Sequence, residues 1–312
     1  MKKSPTNELW PVMITPFTQD NAIDYASLER LIDWYEAAGV NGLFAACQSS
    51  EVFFLSLRER EELVSFVKNH AHVPVIASGH ISYSLDDQLY ELQRMRRAGA
   101  EALILISNRL APQSASPAYF RHALETLMSG LDPEIPLGFY ECPYPFKRLL
   151  SEDELLRCAD SGRFYFMKDT CCDAALIEKR IQLLDGSNLR LFNANTTTLL
   201  DSLKAGAAGF SGIMANFHPE LYVWLLTNWR EYPQEALLLQ AFLTSFSLIE
   251  RQVYPVNAKY GLQAIEHVID SFHTRSVDTD NLTVTYKDEV VQVARTADRV
   301  RQLLEKGILH GN

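Results

Sequence analysis

The chain has 312 residues, of which 47% are hydrophobic and 22% charged, with 14 Gly and 13 Pro. This is ordinary globular composition and excludes collagen-like, disordered and disulfide-scaffold classes. A formal net charge of -10 provides no field that attracts polyanions, so the expected partners are small molecules and not nucleic acid.

Lys2 and Lys3 stand at the start with no apolar run behind them, and no stretch of about 18 apolar residues occurs. Neither secretion nor membrane spanning is supported, and a cytoplasmic location is expected. The five cysteines (Cys47, Cys142, Cys158, Cys171, Cys172) are odd in number and lack CxxC spacing, so free thiols are expected in place of a disulfide framework or a ribbon-type zinc site.

Short apolar runs alternate with stretches of helical period from about residue 10 to about residue 230. The pattern predicts eight strands, near Pro11–Thr15, Gly42–Ala46, Pro74–Ala77, Ala102–Ile106, Leu137–Tyr140, Tyr165–Met167, Arg190–Phe192 and Gly209–Ile213. Helical patterns lie between them, among them Tyr25–Ala38, Leu57–Ala71, Leu85–Ala98 and Pro117–Gly130. The phrases AAGVNGLF, RAGAEALI and KAGAAGFSG recur at helix-to-strand junctions, where Gly suits a left-handed helix cap before the chain returns to the sheet.

Eight βα units close most economically into a (β/α)8 TIM barrel, with a doubly wound open sheet as the alternative. After Tyr232-Pro233 the pattern is helical only, across Leu237–Ile249, Tyr260–Ile269 and Val290–Leu304. The expected division is a barrel over residues 1–230 and a C-terminal helical extension over 231–312.

In such barrels the site is built beyond the C-terminal ends of the strands. Lys168 ends the sixth strand, where desolvation would lower its pKa and leave a neutral amine able to attack a carbonyl; a solvated strand-end lysine is the alternative. Tyr140 ends the fifth strand, and with neighbouring strands about 4.8 Å apart it can stand beside Lys168 and move protons, or simply close the barrel top. Ala46-Cys47-Gln48-Ser49-Ser50-Glu51 after the second strand offers backbone amides and hydroxyls for an anion, although serines also make ordinary turns.

A soft metal site from Cys47, Cys142, Cys171 and His80 is the minor reading beside ordinary buried thiols. His218, His267 and His273 fall in regions read as helical, without a ligand spacing. No Walker loop, GxGxxG or GxSxG is present.

Taken in order, these residues resemble the dihydrodipicolinate synthase and N-acetylneuraminate lyase family. Met13-Ile-Thr15-Pro16-Phe17 is similar to the family's opening TPF, Cys47 to Glu51 to its GTTGE-like loop, and Tyr140-Glu-Cys-Pro143 to its YNVP segment. Lys168-Asp-Thr resembles the context of its Schiff-base lysine, and Gly209 to Asn216 its last strand. The resemblance implies a class I aldolase or lyase on a (β/α)8 barrel, without a cofactor. Lys168 would form an imine with pyruvate or another 2-oxo acid, Tyr140 would move protons, and the Ser49 region would hold the carboxylate. Ser50, Gln48, Ser211, Asn108 and Arg109 complete the expected substrate-binding set. A homo-oligomer, tetramer or dimer, is expected by resemblance.

The departures bear on the reaction. Cys47 and Ser50 replace the loop's glycines, and Gln48 stands where a relay hydroxyl is usual. Asn108 and Arg109 take the place of paired tyrosines, and Pro145 that of an arginine which recruits a second carboxylate; Lys147, Arg148 and Arg109 are the nearby cations that could replace it. These changes point away from authentic dihydrodipicolinate synthase activity. They leave a lyase, an aldolase or a sugar-acid dehydratase, or a barrel that has lost turnover and binds a 2-oxo acid or sugar acid as a sensor.

Overall fold

The computed structural model describes residues 6–307; Lys2 and Lys3 lie outside the described residues. Eight parallel strands run in the order β1-β8-β7-β6-β5-β4-β3-β2. They are β1 (Glu8–Leu9), β2 (Leu43–Ala45), β3 (Val75–Ala77), β4 (Ala102–Ile106), β5 (Leu137–Tyr140), β6 (Phe164–Asp169), β7 (Arg190–Asn193) and β8 (Gly209–Phe210). Val12 bridges Phe44 in parallel, supported by Met13 N–H to Phe44 O and Phe44 N–H to Pro11 O, both 3.0 Å, and this contact closes the sheet on β2. The chain folds as a (β/α)8 barrel.

Seven helices follow the first six strands: α1 (Tyr25–Ala37), α2 (Leu57–His70), α3 (Leu85–Arg97), α4 (Ser107–Leu110), α5 (Pro117–Gly130), α6 (Glu152–Asp160) and α7 (Ala174–Leu183). Then come α8 (Leu199–Ala205) after β7, α9 (Pro219–Asn228) after β8, and α10 (Pro233–Phe246), α11 (Val256–Ala264) and α12 (Val284–Glu305). Side-chain caps start many of them. Ser56 and Ser151 each form a reciprocal capping box with the glutamate three residues on, satisfying amides that the first helical turn leaves free. The recurring AG phrases end helices as their composition predicts: Gly39, Gly99 and Gly206 all have positive φ, from 88° to 111°. Gly209 meets a different demand, since a Cβ there would lie 1.8 Å from the carbonyl oxygen of Glu8 where β1 and β8 pair.

Three expectations need correction. Pro11–Thr15 is not a regular strand: Glu8–Leu9 pairs with β8, and the chain then crosses to β2 through Pro11, which has no N–H to continue a ladder. The eighth strand stops at Phe210, and Ile213–Asn216 coils into a 3₁₀ turn. The helix expected over Tyr260–Ile269 begins at Val256 and ends at Ala264, and His267 adopts a left-handed φ of 54°. Of the three histidines read as helical, His218 precedes α9, and His267 and His273 lie in the segment between α11 and α12.

Strand alternation sorts the side chains between two cores. Met167 and Phe139 join the large apolar cluster under the helices, whereas Phe166 and Tyr140 join a smaller cluster with Val12, Phe44, Ile104 and Phe192. The smaller cluster fills the barrel. Its rings pack as a floor: Phe166 stacks on Phe192 at 4.5 Å, and Phe44 meets Phe166 and Tyr140 edge-on at 5.9 Å. These rings fill the barrel interior beneath the strand ends, so the side chains that face the mouth lie in the layer above them.

Candidate active site

Two residues beyond Phe166, the same alternation places Lys168 in the barrel mouth. It pairs in register with Tyr140 across β5 and β6, and its Nζ lies 4.3 Å from the centre of the Tyr140 ring. Lys168 is 3% exposed and its ammonium has no hydrogen bond or ion pair among the described residues. Burial lowers its pKa to about 8, against opposing effects from Cys47, Cys142 and Glu250. A second lysine, Lys259, is equally buried and also lowered to about 8 by burial, but its Nζ binds Glu51 Oε1 at 2.6 Å and the His273 carbonyl at 2.9 Å. Lys259 is therefore committed to structure, whereas the amine of Lys168 carries no such bond among the described residues.

The residues after Tyr140 and Lys168 point outward and fix the strand ends. The Arg180 guanidinium on α7 binds Glu141 at 2.9 and 3.0 Å and also binds Asp169, while donating to Leu150 O at 2.9 Å. All three side chains are buried.

Lys168 and Tyr140 open onto a cavity of about 500 Å³ whose wall includes Gln48, Ser49, Lys147, Glu250 and Tyr254. A cavity of the same size on the outside of the barrel, among α5, α6 and α7, holds none of these groups. The 3₁₀ turn Gln48–Ser50 is framed by Ala46 and Glu51, both with positive φ (48° and 57°), so the loop adopts a backbone that non-glycine residues rarely accept. Ionic contact with Lys259 and amides from Arg275 and Ser276, both 2.7 Å from Glu51 Oε2, hold it there.

Gln48 Oε1 receives the Tyr140 hydroxyl and the Cys142 thiol, each at 3.2 Å. The Tyr140 phenol is pushed well above its usual pKa, chiefly by burial, and keeps its proton. Tyr254, also raised by burial, bonds to Ser49 through its side chain and accepts from Asn216 Nδ2 at 2.9 Å. Glu250 has no hydrogen-bond or ion-pair partner among the described residues; burial lifts its carboxyl to about 7 against the pull of Arg251 and Lys168.

Of the expected site residues, the structure brings Lys168, Tyr140, Gln48 and Ser49 to one cavity. The other four take places in its surroundings. Ser50 donates to the Met13 carbonyl at 2.7 Å and accepts from the Cys47 amide. Asn108 Nδ2 binds the carbonyls of Cys142, Tyr144 and Phe146 at 2.7–2.9 Å, shaping the loop after β5. Arg109 is buried between the rings of Phe53 and Tyr83, and Ser211 is buried with its hydroxyl unpartnered. Among the candidate loop cations only Lys147 reaches the cavity wall; Arg148 is paired with Glu154. His80 accepts from the Ile106 amide at 2.7 Å through Nε2 and meets Gln88 through Nδ1, so both ring nitrogens are used; no metal-binding cluster of three or more His, Cys, Asp or Glu is formed among the described residues.

Glu250 and Tyr254 line the cavity and are not reached by the sequence reading. Both lie where α10 gives way to a 3₁₀ turn (Ser247–Arg251) and then to Pro255, so the signal available was a Glu-Tyr-Pro interruption in an otherwise apolar helical period.

Residues 5–276 match the model of the dihydrodipicolinate synthetase family. The chain belongs to this family, one of lyases and aldolases. A 4-hydroxy-tetrahydrodipicolinate synthase of Methanothrix thermoacetophila is 24% identical over 259 residues, covering 81% of this chain and 85% of the relative. One from Haloarcula marismortui is 29% identical over 216 residues, 68% of each. Among solved structures, YagE, a prophage protein of the dihydrodipicolinic acid synthase family from E. coli K12 in complex with pyruvate, superposes with a TM-score of 0.83 at 22% identity, covering 95% of this chain and 98% of that one. Dihydrodipicolinate synthase DapA-2 from Bacillus anthracis gives 0.83 at 17% identity, covering 93% and 98%. At those identities the superpositions show a shared fold. No helix of the described residues is long and apolar enough to cross a membrane.

Proposed function

We propose that this family member is a Schiff-base lyase or aldolase in which Lys168 condenses with the C2 carbonyl of pyruvate or another 2-oxo acid. The observation that carries the reading is an unpaired buried amine, lowered to about 8, beside a protonated phenol in an open cavity. Attack by the neutral amine gives a carbinolamine; protonation of its hydroxyl, with Tyr140 as donor, releases water and leaves an iminium. The iminium nitrogen then takes the electron pair from a C3–H or C3–C4 bond, which is the work a metal or pyridoxal would otherwise do, so the reaction needs no cofactor. Ser49, with Tyr254 behind it, is assigned to the substrate carboxylate.

Gln48 favours a second reading. An amide cannot pass a proton on as a hydroxyl can, and here it occupies the Tyr140 hydroxyl, an arrangement also suited to a barrel that binds a 2-oxo acid without turning it over. Changes at the position of Pro145 and at Asn108 and Arg109 weigh against authentic dihydrodipicolinate synthase chemistry, and sugar-acid dehydration shares the same imine. Assembly as a cytoplasmic homo-oligomer, dimer or tetramer, is part of the proposal.

The test is incubation with pyruvate and sodium borohydride followed by peptide mass spectrometry, with Lys168→Ala as control. A reduced pyruvyl adduct confined to Lys168 is expected. Absence of an adduct with pyruvate and with longer 2-oxo acids would overturn the imine reading in favour of simple binding.

A further inference from the structure

The loop that presents Gln48 and Ser49 is held from two sides. On the barrel side the Thr15 hydroxyl donates to the Ser50 carbonyl at 2.9 Å, and the Ser50 hydroxyl to the Met13 carbonyl at 2.7 Å. On the outer side the holding groups belong to the C-terminal extension. Lys259 on α11 occupies one oxygen of Glu51, and the amides of Arg275 and Ser276, between α11 and α12, occupy the other. The Arg275 guanidinium extends this contact in three directions. Nη1 donates to the Phe54 carbonyl at 3.0 Å, Nη2 to Glu59 Oε1 at 2.7 Å and to the Asn21 carbonyl at 2.5 Å, and Nε to Asn21 Oδ1 at 3.1 Å. The group also lies 4.4 Å from the centre of the Phe17 ring. From this segment the cavity wall takes Ser276 and Val277, whereas the guanidinium is directed to Asn21, Phe54 and Glu59.

We infer that Arg275 is a positioning residue for the substrate carboxylate, acting through the 48–54 loop and the Ser49 hydroxyl that this loop carries. This rests on the assignment of Ser49 to the carboxylate made above. Ala46 and Glu51 frame the turn at positive φ, a backbone that persists only where surrounding contacts over-determine it. The amide bonds from residues 275 and 276 to Glu51 need no particular side chain, but their register does. It is fixed by the guanidinium, which ties the segment to the 21 turn, to the far end of the loop at Phe54 and to the first turn of α2 at Glu59. A planar fork reaches all three from one residue; the ammonium of lysine would keep the charge beside Glu59 without spanning the rest. A segment outside the barrel thereby sets the geometry of a group inside its mouth.

Borohydride trapping on the full chain tests this at Lys168 without requiring turnover. The probes are pyruvate and pyruvamide, which offer the same ketone with and without a carboxylate charge, and the readout is the half-saturating concentration of each. The wild type is expected to prefer pyruvate by about tenfold or more, as a charge-assisted hydrogen bond implies. Arg275→Met and Arg275→Lys should each raise the half-saturating pyruvate concentration by about tenfold while leaving that of pyruvamide unchanged. A purely structural loss would move both probes alike, or lower the maximal adduct without moving either midpoint; either result overturns the inference, as does an unchanged preference in both variants. Full preference in Arg275→Lys alone would assign the effect to charge and not to the fork, and overturns it equally. A wild type without preference for pyruvate overturns the carboxylate assignment and this inference while leaving the imine intact. No adduct with either probe overturns the imine reading itself.

Discussion

Arg180 binds Glu141 through two parallel hydrogen bonds of 2.9 and 3.0 Å from inside the wall of the barrel, one residue beyond Tyr140. It also binds Asp169, one residue beyond Lys168. A single guanidinium thus ties together the ends of the two strands that carry the proposed acid and the proposed nucleophile, and it does so on the face opposite the cavity. The fork geometry of arginine suits this role, since lysine would offer a point charge to two carboxylates arriving from different strands.

Arg180→Met leaves Glu141 and Asp169 buried side by side without a cation. Breaking a buried ionic network by removing one partner costs about 3–5 kcal/mol. Urea denaturation of the variant should show a loss of that size at neutral pH, recovered in part when acid protonates the stranded carboxyls. A loss below about 1 kcal/mol would mean that the cluster is not what fixes these strand ends.

The lowered pKa of Lys168 sets the pH dependence of imine chemistry. The neutral amine is the nucleophile, so with a pKa of about 8 its fraction rises between roughly pH 7 and 9, well below the ordinary lysine range. Exchange of the pyruvate methyl protons for deuterium, followed by NMR and corrected with Lys168→Ala, should rise with an apparent pKa near 8. A rise centred near the usual lysine value of about 10.4 would show that Lys168 is solvated and unperturbed.

Gln48 supplies the acceptor for two buried donors, the Tyr140 hydroxyl and the Cys142 thiol. Gln48→Leu removes that acceptor in a site closed below by aromatic rings. Leaving such donors unsatisfied costs about 1–3 kcal/mol, and the lost stability should appear in urea titration. Gln48→Thr restores a hydroxyl at this position. If the amide is what holds back proton movement, the threonine variant should exchange pyruvate methyl protons faster than wild type, by about tenfold or more; equal rates would relieve Gln48 of that role.

The barrel was legible because its signals are local and repeated. Three AG junctions with glycines at positive φ mark returns to the sheet, and the apolar strands β4 and β5 coincide with their predicted bounds. Lys168, Tyr140 and Ser49 could be placed at one cavity for the same reason: each stands at or one residue from a strand end or in the loop that follows one. What stayed hidden depends on contacts between distant segments. Asn108 and Arg109, in α4, are expected from the sequence to face substrate, yet one holds three carbonyls of the loop after β5 and the other is sandwiched between rings. Glu250 and Tyr254 reach the cavity from a segment whose period speaks only of helix packing, and the pairing of Lys259 with Glu51 spans 208 residues. No spacing rule encodes a meeting of that kind.

Lys168 and Lys259 give the sharpest test, because the two are alike in burial and in pKa and differ only in partners. Both are lowered to about 8 by desolvation. For Lys168 the folded pKa lies below the unfolded value of about 10.5, so the unfolded state binds the extra proton between those two pH values and stability rises with pH across that window. Below pH 8 the site carries the full cost of a buried charge, about 3 kcal/mol at 1.36 kcal/mol per pKa unit. Lys168→Met should therefore stabilise the protein at pH 7 by roughly 1–3 kcal/mol, with the gain fading as pH approaches 10.5. Lys259→Met should do the opposite. It strands the Glu51 carboxylate, releases the His273 carbonyl and loosens the loop that presents Gln48 and Ser49, at a cost of about 3–5 kcal/mol. Urea titrations of both variants at pH 7 would read the two signs directly. Destabilisation by both, to the same extent, would mean that Lys168 is bonded within the fold and is not held free for reaction.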